Sequence, residues 1–209
     1  IKQTQTFRKN SNRKTTNKLA HYSSLFGEIR QPKFNYLAIP KVSSENREYI
    51  PMAIFPSNVI ASGSCLIIPK ASLFLFGVMT SEMHNIWVKY TCGRMKSDYQ
   101  YSSTIVYNNF PFPKEVSPKN KKKVERLAKK ILDTRAKYEN SSLADLYDPL
   151  TMPADLRKAH TQLDKAVDLC YRPQAFTNER NRIAYLFDLY DSYVRPLLQV
   201  AKKPSRKKK

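Results

Sequence analysis

Glycine is scarce in this chain, and its few glycines lie far apart. The four are Gly27, Gly63, Gly77 and Gly93. Nucleotide cofactors usually bind where glycines are closely spaced, because such a loop lets the backbone approach a phosphate group. We therefore predict that no cofactor binds to this chain.

Cysteine and histidine are too sparse to form a metal site of the usual kind. Three of each are spread along the sequence: Cys65, Cys92, Cys170, His21, His84 and His160. Zinc ligands and disulfide frameworks recur at short, paired spacings, which this sequence does not contain. No set of carboxylates with a lysine stands out for a metal-dependent nuclease. We predict no metal site and no catalytic residue, and we interpret the histidines as structural.

Long apolar runs are missing as well. A membrane-spanning helix needs about 20 consecutive apolar residues. No stretch of this sequence reaches that length. We expect no membrane partner and a cytoplasmic location.

Acidic residues are outnumbered, and this imbalance is the first positive indication of function. The chain has 37 lysines and arginines against 17 aspartates and glutamates, which gives a formal net charge of +20. So large an excess favours a polyanionic partner, of which nucleic acid is the first candidate. Charge alone does not predict sequence preference, because it attracts phosphates in any sequence.

Two halves of different composition meet at the proline-rich segment Phe110–Pro113, where prolines interrupt both helix and sheet hydrogen bonding. Upstream, short β-rich stretches are separated by Pro, Ser and Gly: Tyr36–Ile39, Tyr49–Phe55, Asn58–Ala61, Cys65–Ile68 and Tyr101–Tyr107. Between them, Ala71–Tyr90 is apolar around much of a helical circumference, which predicts a buried helix. The upstream half is therefore predicted to be a small mixed β-sheet with a buried helix.

The downstream half has helical periodicity. Ser117 and Pro118 are a favourable cap and first-turn pair for a helix that extends to about Tyr138. Two more helices are predicted near Pro153–Cys170 and Asn178–Val194. Their apolar stripes need one another for burial, so the whole chain is predicted to have an α+β fold with a C-terminal helical subdomain.

The segment Cys92–Ser103 is polar yet rich in side chains that hydrogen-bond bases and phosphates. If it is extended, alternate side chains project to one face, namely Arg94, Lys96, Asp98 and Gln100. Such a face is suited to contact DNA. A hairpin loop with solvated charges explains the composition equally well, so the pattern leaves both interpretations open.

Four segments of the chain carry a resemblance to a known family. They are IPKVSSENREYIP at 39–51, GRMKSDYQYS at 93–102, YNNFPFP at 107–113 and LADLYDPLTMPADLRKAH at 143–160. They closely resemble the C-terminal part of MmeI-like type IIL restriction–modification enzymes. The resemblance extends from about Leu25 to Val194, and the motifs occur in the order of the family. Phe112 stands where the family often has tryptophan.

The resemblance implies a domain organisation. Residues 34–113 correspond to the target recognition domain, and residues 114–200 correspond to the C-terminal helical domain. Composition adds a flexible basic segment at 1–33 and a disordered basic tail at 201–209. The family's nuclease and adenine-N6 methyltransferase domains, with their S-adenosylmethionine site, are expected to precede Ile1. The implied partners are double-stranded DNA and the methyltransferase domain of the same parent chain.

The resemblance also implies which residues meet DNA. Side chains at alternating positions after the Gly–Arg pair read base edges, which here means Lys96, Asp98 and Gln100, with Ser64 acting beside Gln100. Residues expected near the phosphate backbone are Lys41, Ser43, Ser44, Arg47, Arg94, Tyr99, Tyr101 and Ser102. Lysine donates to guanine and aspartate accepts from cytosine, so Lys96 and Asp98 are predicted to clamp one G·C pair. Gln100 suits adenine.

Two other functions fit the composition. A stand-alone module for single-stranded nucleic acid or RNA would use the same basic charge with stacking tyrosines, and it would prefer single strands to a duplex. A protein-docking module would use the helices after Ser117 and would show no salt-sensitive DNA binding. The basic helix that carries Lys121–Lys123, Arg126 and Lys129 is either a solvated face or a further contact to the DNA backbone.

Overall fold

The computed structural model describes residues 1–25, 27 and 30–200. The chain divides into two compact units, Ile1–Lys33 and Phe34–Lys209. The basic tail that the sequence predicts to be disordered, 201–209, lies outside the described residues.

The first unit contains short helices where the sequence shows no clear period. Helix α1 (Lys2–Lys9) is followed by α2 (Lys14–Lys18) and a single 3₁₀ turn at Leu19–Tyr22. The guanidinium group of Arg8 donates hydrogen bonds to the carbonyl oxygens of Leu19, Tyr22 and Leu25, at 3.1, 2.6 and 2.7 Å. One arginine thus satisfies carbonyl groups at the end of this unit's helical turns, an interaction that periodicity does not predict.

The strands of the second unit form two small sheets. In one, β1 (Tyr36–Pro40) lies between β3 (Ala53–Phe55) and β4 (Cys65–Pro69), and in the other, β6 (Asp98–Gln100) lies between β2 (Val42–Ser43) and β5 (Gly93–Met95). All four strand pairings are antiparallel. The α+β class predicted from the sequence is confirmed, but the strands are divided between two antiparallel sheets rather than joined in one mixed sheet.

Lys41 is the junction between the two sheets. It is the one residue between β1 and β2, which belong to different sheets. Its backbone N–H donates to the carbonyl oxygen of Ser64 at 2.9 Å, and its own carbonyl accepts from the N–H of Tyr101 at 2.8 Å. The junction therefore holds the start of β4 beside the end of β6.

Two stretches with strand-like composition have other structures. Asn58–Ala61 is turn and irregular chain, and only Ala53–Phe55 of the stretch Tyr49–Phe55 pairs as a strand. Pro51 has no N–H to donate to a ladder, which ends the strand on its N-terminal side. Ser103–Tyr107 forms one π-helical turn. It is stabilised from outside, because Trp87 Nε1 donates to the carbonyl oxygen of Val106 at 3.1 Å.

The predicted buried helix is divided into α3 (Leu73–Met79) and α4 (Glu82–Thr91). The hydroxyl of Thr80 donates to the carbonyl of Phe76 at 2.9 Å, and that of Ser81 donates to Val78 at 2.6 Å. These hydroxyl groups bond the last carbonyls of α3 and favour a break in the helix. Much of both helices is buried, as predicted.

The downstream half is helical, as the sequence predicts. Its helices are α5 (Pro118–Arg135), α6 (Leu143–Leu146), α7 (Ala154–Tyr171) and α8 (Glu179–Val200). The hydroxyl oxygen of Ser117 accepts from the N–H of Asn120 at 3.2 Å, which caps α5, and Pro118 occupies its first turn. Ser142 and Asp145 form a capping box at the start of α6.

One hydrophobic core joins the two halves. It includes Leu37 of β1, Phe76 of α3, Val124 of α5 and Leu163 of α7, each fully buried. Trp87 of α4 is also buried and packs against aromatic rings of α8. The sheets are thereby fixed on a scaffold of helices.

Candidate nucleic-acid interface

The segment predicted to be one extended strand is a tight hairpin. Strands β5 and β6 are joined by a turn of two residues, Lys96 and Ser97. Lys96 has a φ of 56°, in the left-handed region that two-residue hairpin turns use. The prediction that Arg94, Lys96, Asp98 and Gln100 share one continuous extended face is therefore wrong, because the turn at Lys96 reverses the chain direction. The structure supports a hairpin, and contact of its charged side chains with DNA stays a prediction.

The hairpin turns one face toward the protein. Arg94 is in register with Tyr99, and Tyr99 is in register with Ser43 of β2, so these three residues share the inner face. The guanidinium carbon of Arg94 lies 4.4 Å from the ring centroid of Tyr99. Its Nη1 donates to the carboxylate of Glu45 at 3.3 Å and to the carbonyl of Ser97 at 2.8 Å. Arg94 thus braces the hairpin.

The opposite face of the same sheet is solvent-accessible. Val42 is in register with Gln100, and Met95 is in register with Asp98. We call this set of four residues the outer face. Asp98 is half-buried, and the other three are exposed. Two of the predicted base readers, Asp98 and Gln100, therefore lie on one accessible face, whereas Lys96 lies at the tip of the hairpin.

Ser64 lies beside Gln100, as the sequence analysis expects. Both residues line an open cavity of about 370 Å³ between the two sheets. We call it the junction pocket; its lining consists of Pro40, Lys41, Val42, Ser64, Cys65, Met95, Gln100 and Tyr101. The Nζ of Lys41 donates to the carbonyl of Gly63 at 2.6 Å, which holds this lysine at the rim. Residues far apart in sequence are thus brought together by the junction at Lys41.

Three residues that we expected near the phosphate backbone have buried side chains instead. Ser43, Tyr99 and Tyr101 are 3, 8 and 4% exposed. The hydroxyl of Tyr101 shares a hydrogen bond of 3.0 Å with Nε2 of His84. These side chains belong to the core, because strand alternation directs them inward. The prediction that these three side chains contact the phosphate backbone is therefore wrong, because they are buried in the protein.

The other expected backbone contacts lie at or near the surface. Ser44, Arg47 and Ser102 are half-buried, and Lys41 and Arg94 are exposed. The N–H of Arg47 donates to the carbonyl of Ser44 at 3.2 Å, so the two belong to one turn after β2. The hydroxyl of Ser102 caps the π-helical turn, where it accepts from the N–H of Ile105 at 3.4 Å.

The sequence analysis missed two apolar members of the outer face. Val42 is 37% exposed and Met95 is 50% exposed. No local pattern marks them, because their place beside Gln100 follows from the register of β2 and β5 with β6. A glycine or asparagine in the turn would have predicted the hairpin, and neither is present.

A second cavity, of about 650 Å³, lies between the 45–50 loop, α4 and the helices α7 and α8. Three of its cations are engaged in ion pairs with acidic residues of other elements: Lys89 with Glu179, Arg157 with Glu48, and Arg182 with Glu82 and Asp168. Its charges are largely compensated within the protein. Its lining has as many acidic as basic residues, so this cavity offers a polyanion no net positive charge.

The part of the chain that the structure describes contains no group of three or more His, Cys, Asp or Glu residues placed to hold a metal ion. Among these same residues, no helix is long and apolar enough to cross a membrane. His84 and His160 lie in the core, each fully buried.

Comparison with known proteins identifies the family. Residues 1–114 match the family described as MmeI, target recognition domain, and residues 116–198 match MmeI, C-terminal domain. The chain belongs to the MmeI family. The resemblance noted in its motifs is thus confirmed, and the MmeI-family match includes the hairpin, the junction pocket and the helical half.

Two relatives extend this assignment. The chain is 40% identical over 183 residues to DNA methyltransferase A of Bacillus subtilis (strain 168), a match that covers 88% of this chain and 21% of the relative. It also matches the solved structure of the type IIL restriction–modification enzyme MmeI in complex with DNA, with a TM-score of 0.83 and 44% identity. That match covers 93% of this chain and 26% of the solved chain. This MmeI-family chain therefore spans about a fifth to a quarter of the length of these relatives.

Proposed function

We propose that this chain reads a specific sequence of double-stranded DNA as the recognition part of a DNA adenine-N6 methyltransferase. The arrangement of side chains on the outer face is the main support for this proposal. It presents Asp98 and Gln100 side by side on a braced hairpin, with Ser64 across the junction pocket. A two-stranded ribbon fits the major groove, where hydrogen-bonding side chains distinguish all four base pairs.

Each base reader is assigned by its chemistry. Gln100 both donates and accepts, which matches the N6 and N7 groups of adenine. Asp98 accepts from the amino group of cytosine, and Lys96 donates to the acceptors of guanine. Because Lys96 lies at the tip of the turn, we assign it to the partner base of the pair that Asp98 reads. Ser64 reads beside Gln100.

We assign contacts with the phosphate backbone to residues around the outer face. Lys41 at the rim of the junction pocket, the turn Ser44–Arg47, Arg94 and Ser102 supply cations and hydroxyl groups. Such contacts add affinity and set orientation without selecting a sequence. Ser43, Tyr99 and Tyr101 are not assigned to phosphate contact, since their side chains are buried and they pair with neighbouring chain segments in the sheet.

Catalysis is assigned to a part of the parent enzyme outside this chain. The relatives are a DNA methyltransferase and a restriction–modification enzyme, each much longer than this chain. We assign S-adenosylmethionine to that catalytic part, because the glycines here are isolated and no described helix follows a glycine-rich loop. The methyltransferase domain of the same parent chain is then the second partner, after DNA.

The burial of the tyrosines argues against a single-strand-binding module. Stacking requires exposed aromatic faces along a groove. Tyr99 and Tyr101, the aromatic residues of the recognition hairpin, are packed into the core. The duplex interpretation uses the polar outer face instead and needs no exposed ring.

The proposal is tested by selection from a pool of random duplexes. We expect the chain to enrich one motif and to bind it more tightly than a scrambled duplex of equal length. The affinity for both duplexes should fall as the salt concentration rises. Binding releases the salt cations that are condensed on the DNA phosphates, and a higher salt concentration opposes this release. Equal affinity for every duplex, or a preference for single strands, contradicts the proposal.

Base reading is tested by an exchange of charges in the hairpin. The double variant Lys96→Asp with Asp98→Lys keeps the net charge, and aspartate tolerates the positive φ at position 96. We expect a G·C preference at one position of the enriched motif to change, with the other positions unaltered. The control exchanges Asp191 and Arg195, an exposed ion pair on α8. A motif unchanged by the hairpin exchange refutes these two assignments.

A further inference from the structure

Two exposed apolar side chains flank Gln100 on the outer face. Val42 is its register partner on β2. On β5 its register partner is Gly93, and Met95, two residues further along on the same face, lies diagonally across from it. Val42, Met95 and Gln100 all line the junction pocket. The polar reader is therefore placed between two hydrophobic groups.

Gly93 leaves room for this arrangement. A Cβ atom built at Gly93 would lie 3.3 Å from Oε1 and 3.7 Å from Cβ of Gln100. The amide of Gln100 thus extends over the glycine, in the row of the sheet that also contains Val42. A larger residue at position 93 would displace the amide from this place.

The apolar pair is too small to be a protein-docking surface. A stable interface buries about 800 Å² on each partner, and two partly exposed side chains supply a small part of that area. The rest of the pocket lining combines the polar residues Lys41, Ser64 and Gln100 with Pro40, Cys65 and Tyr101. A small apolar ligand group bordered by hydrogen-bonding groups fits this surface better than a protein does.

The major-groove edge of an A·T pair combines hydrogen-bonding groups with one small apolar group. In the major groove it presents the N7 and N6 groups of adenine, then O4 and the C5-methyl group of thymine, which is the apolar feature of the edge. A glutamine that holds the adenine therefore places the methyl group close to its own neighbours. Apolar side chains at that place favour thymine over a base without the methyl group.

We propose that Val42 and Met95 contact the thymine methyl group of the same A·T pair whose adenine Gln100 reads. This inference rests on the proposed function and extends it, because it adds two specificity residues and predicts the identity of one base pair. The junction pocket then recognises both bases of that pair.

Replacement of thymine by deoxyuridine tests the proposal, since it removes the methyl group and leaves every hydrogen-bonding group. In the motif enriched by the full chain, each thymine is replaced in turn. We expect one replacement, opposite the adenine that Gln100 reads, to weaken binding about three- to fivefold, as for one buried methyl group. The adenine is identified as the position whose preference is lost in Gln100→Ala.

Variants of the chain complete the test. Val42→Ala combined with Met95→Ala should bind the thymine and deoxyuridine duplexes equally. Val42→Thr, which keeps the β-branched shape of the strand residue, should reduce the discrimination without loss of the fold. Val59→Ala is the matched control, because Val59 is 39% exposed and lies outside both sheets. It should keep the full discrimination.

The outcomes separate the inference from the function on which it rests. An enriched motif in which no thymine replacement weakens binding, or in which the position lost in Gln100→Ala is not an A·T pair, overturns the inference and leaves sequence reading intact. Discrimination that persists in the double variant also overturns it. Failure to enrich any motif refutes the proposed function itself.

Discussion

Asp164 of α7 shows how a single buried residue connects the 45–50 loop to the helices. Its Oδ2 accepts from the hydroxyl of Tyr49, and its Oδ1 accepts from the N–H of Glu82, each at 2.7 Å. Burial raises the pKa of this carboxyl group from 3.8 to about 7. His84, buried in the same core, has the opposite behaviour, because burial lowers its pKa from 6.5 to about 3.

The two residues give opposite contributions to stability as pH changes. The contribution of Asp164 is fully present below about pH 4 and is lost as pH rises through about 7, because the folded state holds its proton more tightly. The contribution of His84 is present above pH 6.5 and is lost as pH falls toward about 3. We therefore expect the contributions of Asp164 and His84 to the pH dependence of folding to cancel in part.

Asp164→Asn removes one side of this cancellation. We expect the free energy of unfolding of the variant to increase more steeply between pH 4.5 and 7 than that of the unchanged chain, since the histidine contribution is no longer opposed. Urea denaturation at several pH values measures it. Asp133→Asn, an exposed aspartate on α5, is the control. An identical slope for Asp164→Asn and the unchanged chain contradicts the raised pKa.

The contact between α3 and α5 depends on a residue without a side chain. A Cβ atom at Gly77 would lie 2.7 Å from Cγ1 of Val124 and 3.3 Å from Cβ of Ala128. Both neighbours are fully buried on α5. Gly77 therefore allows α3 and α5 to pack closely, and this effect outweighs the low helix propensity of glycine.

We expect Gly77→Ala to destabilise the fold. Overpacking costs about 1–3 kcal/mol, which exceeds the gain of about 1 kcal/mol from alanine's helix propensity. Gly63→Ala is the control, because a Cβ atom there meets nothing within 4 Å. Its free energy of unfolding should change by less than about 0.5 kcal/mol. If Gly77→Ala proves as stable as Gly63→Ala, α5 moves aside more easily than this packing implies.

Across the molecule, the sheets and the helical half depend on each other. Arg182 of α8 donates to Asp168 of α7 at 3.2 and 2.8 Å and to Glu82 of α4 at 3.1 Å. The ring of Trp87 lies 5.4 Å from that of Phe187 and 5.8 Å from that of Tyr190 on α8, measured between centroids. The helical half thus completes the core on which the recognition hairpin rests.

A chain reduced to residues 1–114 should therefore lose its fixed structure. Without α5, α7 and α8, the buried faces of α3 and α4 are exposed to water. We expect weak near-ultraviolet circular dichroism and no cooperative urea transition. A chain of residues 1–200 is the control and should unfold like the full chain. Cooperative unfolding of 1–114 at the midpoint of the full chain would show that the recognition half is independent.

The sequence alone determined the features that depend on local pattern. The three long helices begin within a residue of their predicted starts, because the apolar period and the cap at Ser117 act within a few residues. The last helix, α8, extends to Val200, beyond the predicted Val194. The α+β class and the MmeI family also followed from the sequence, the first from the change of period near Phe110–Pro113 and the second from its motifs. The assignment of Asp98, Gln100 and Ser64 as base readers came from that resemblance and stays a prediction.

Only the tertiary structure decided which side chains share a face. The reversal at Lys96 and Ser97 has no glycine or asparagine to mark it, and the hairpin's register is set by pairing with β2, some 55 residues away. The main-chain bonds of Lys41 then bring Ser64 to Gln100 and leave Val42 and Met95 exposed beside it. A one-residue shift in register reverses every side chain, so the composition of the outer face follows from long-range pairing.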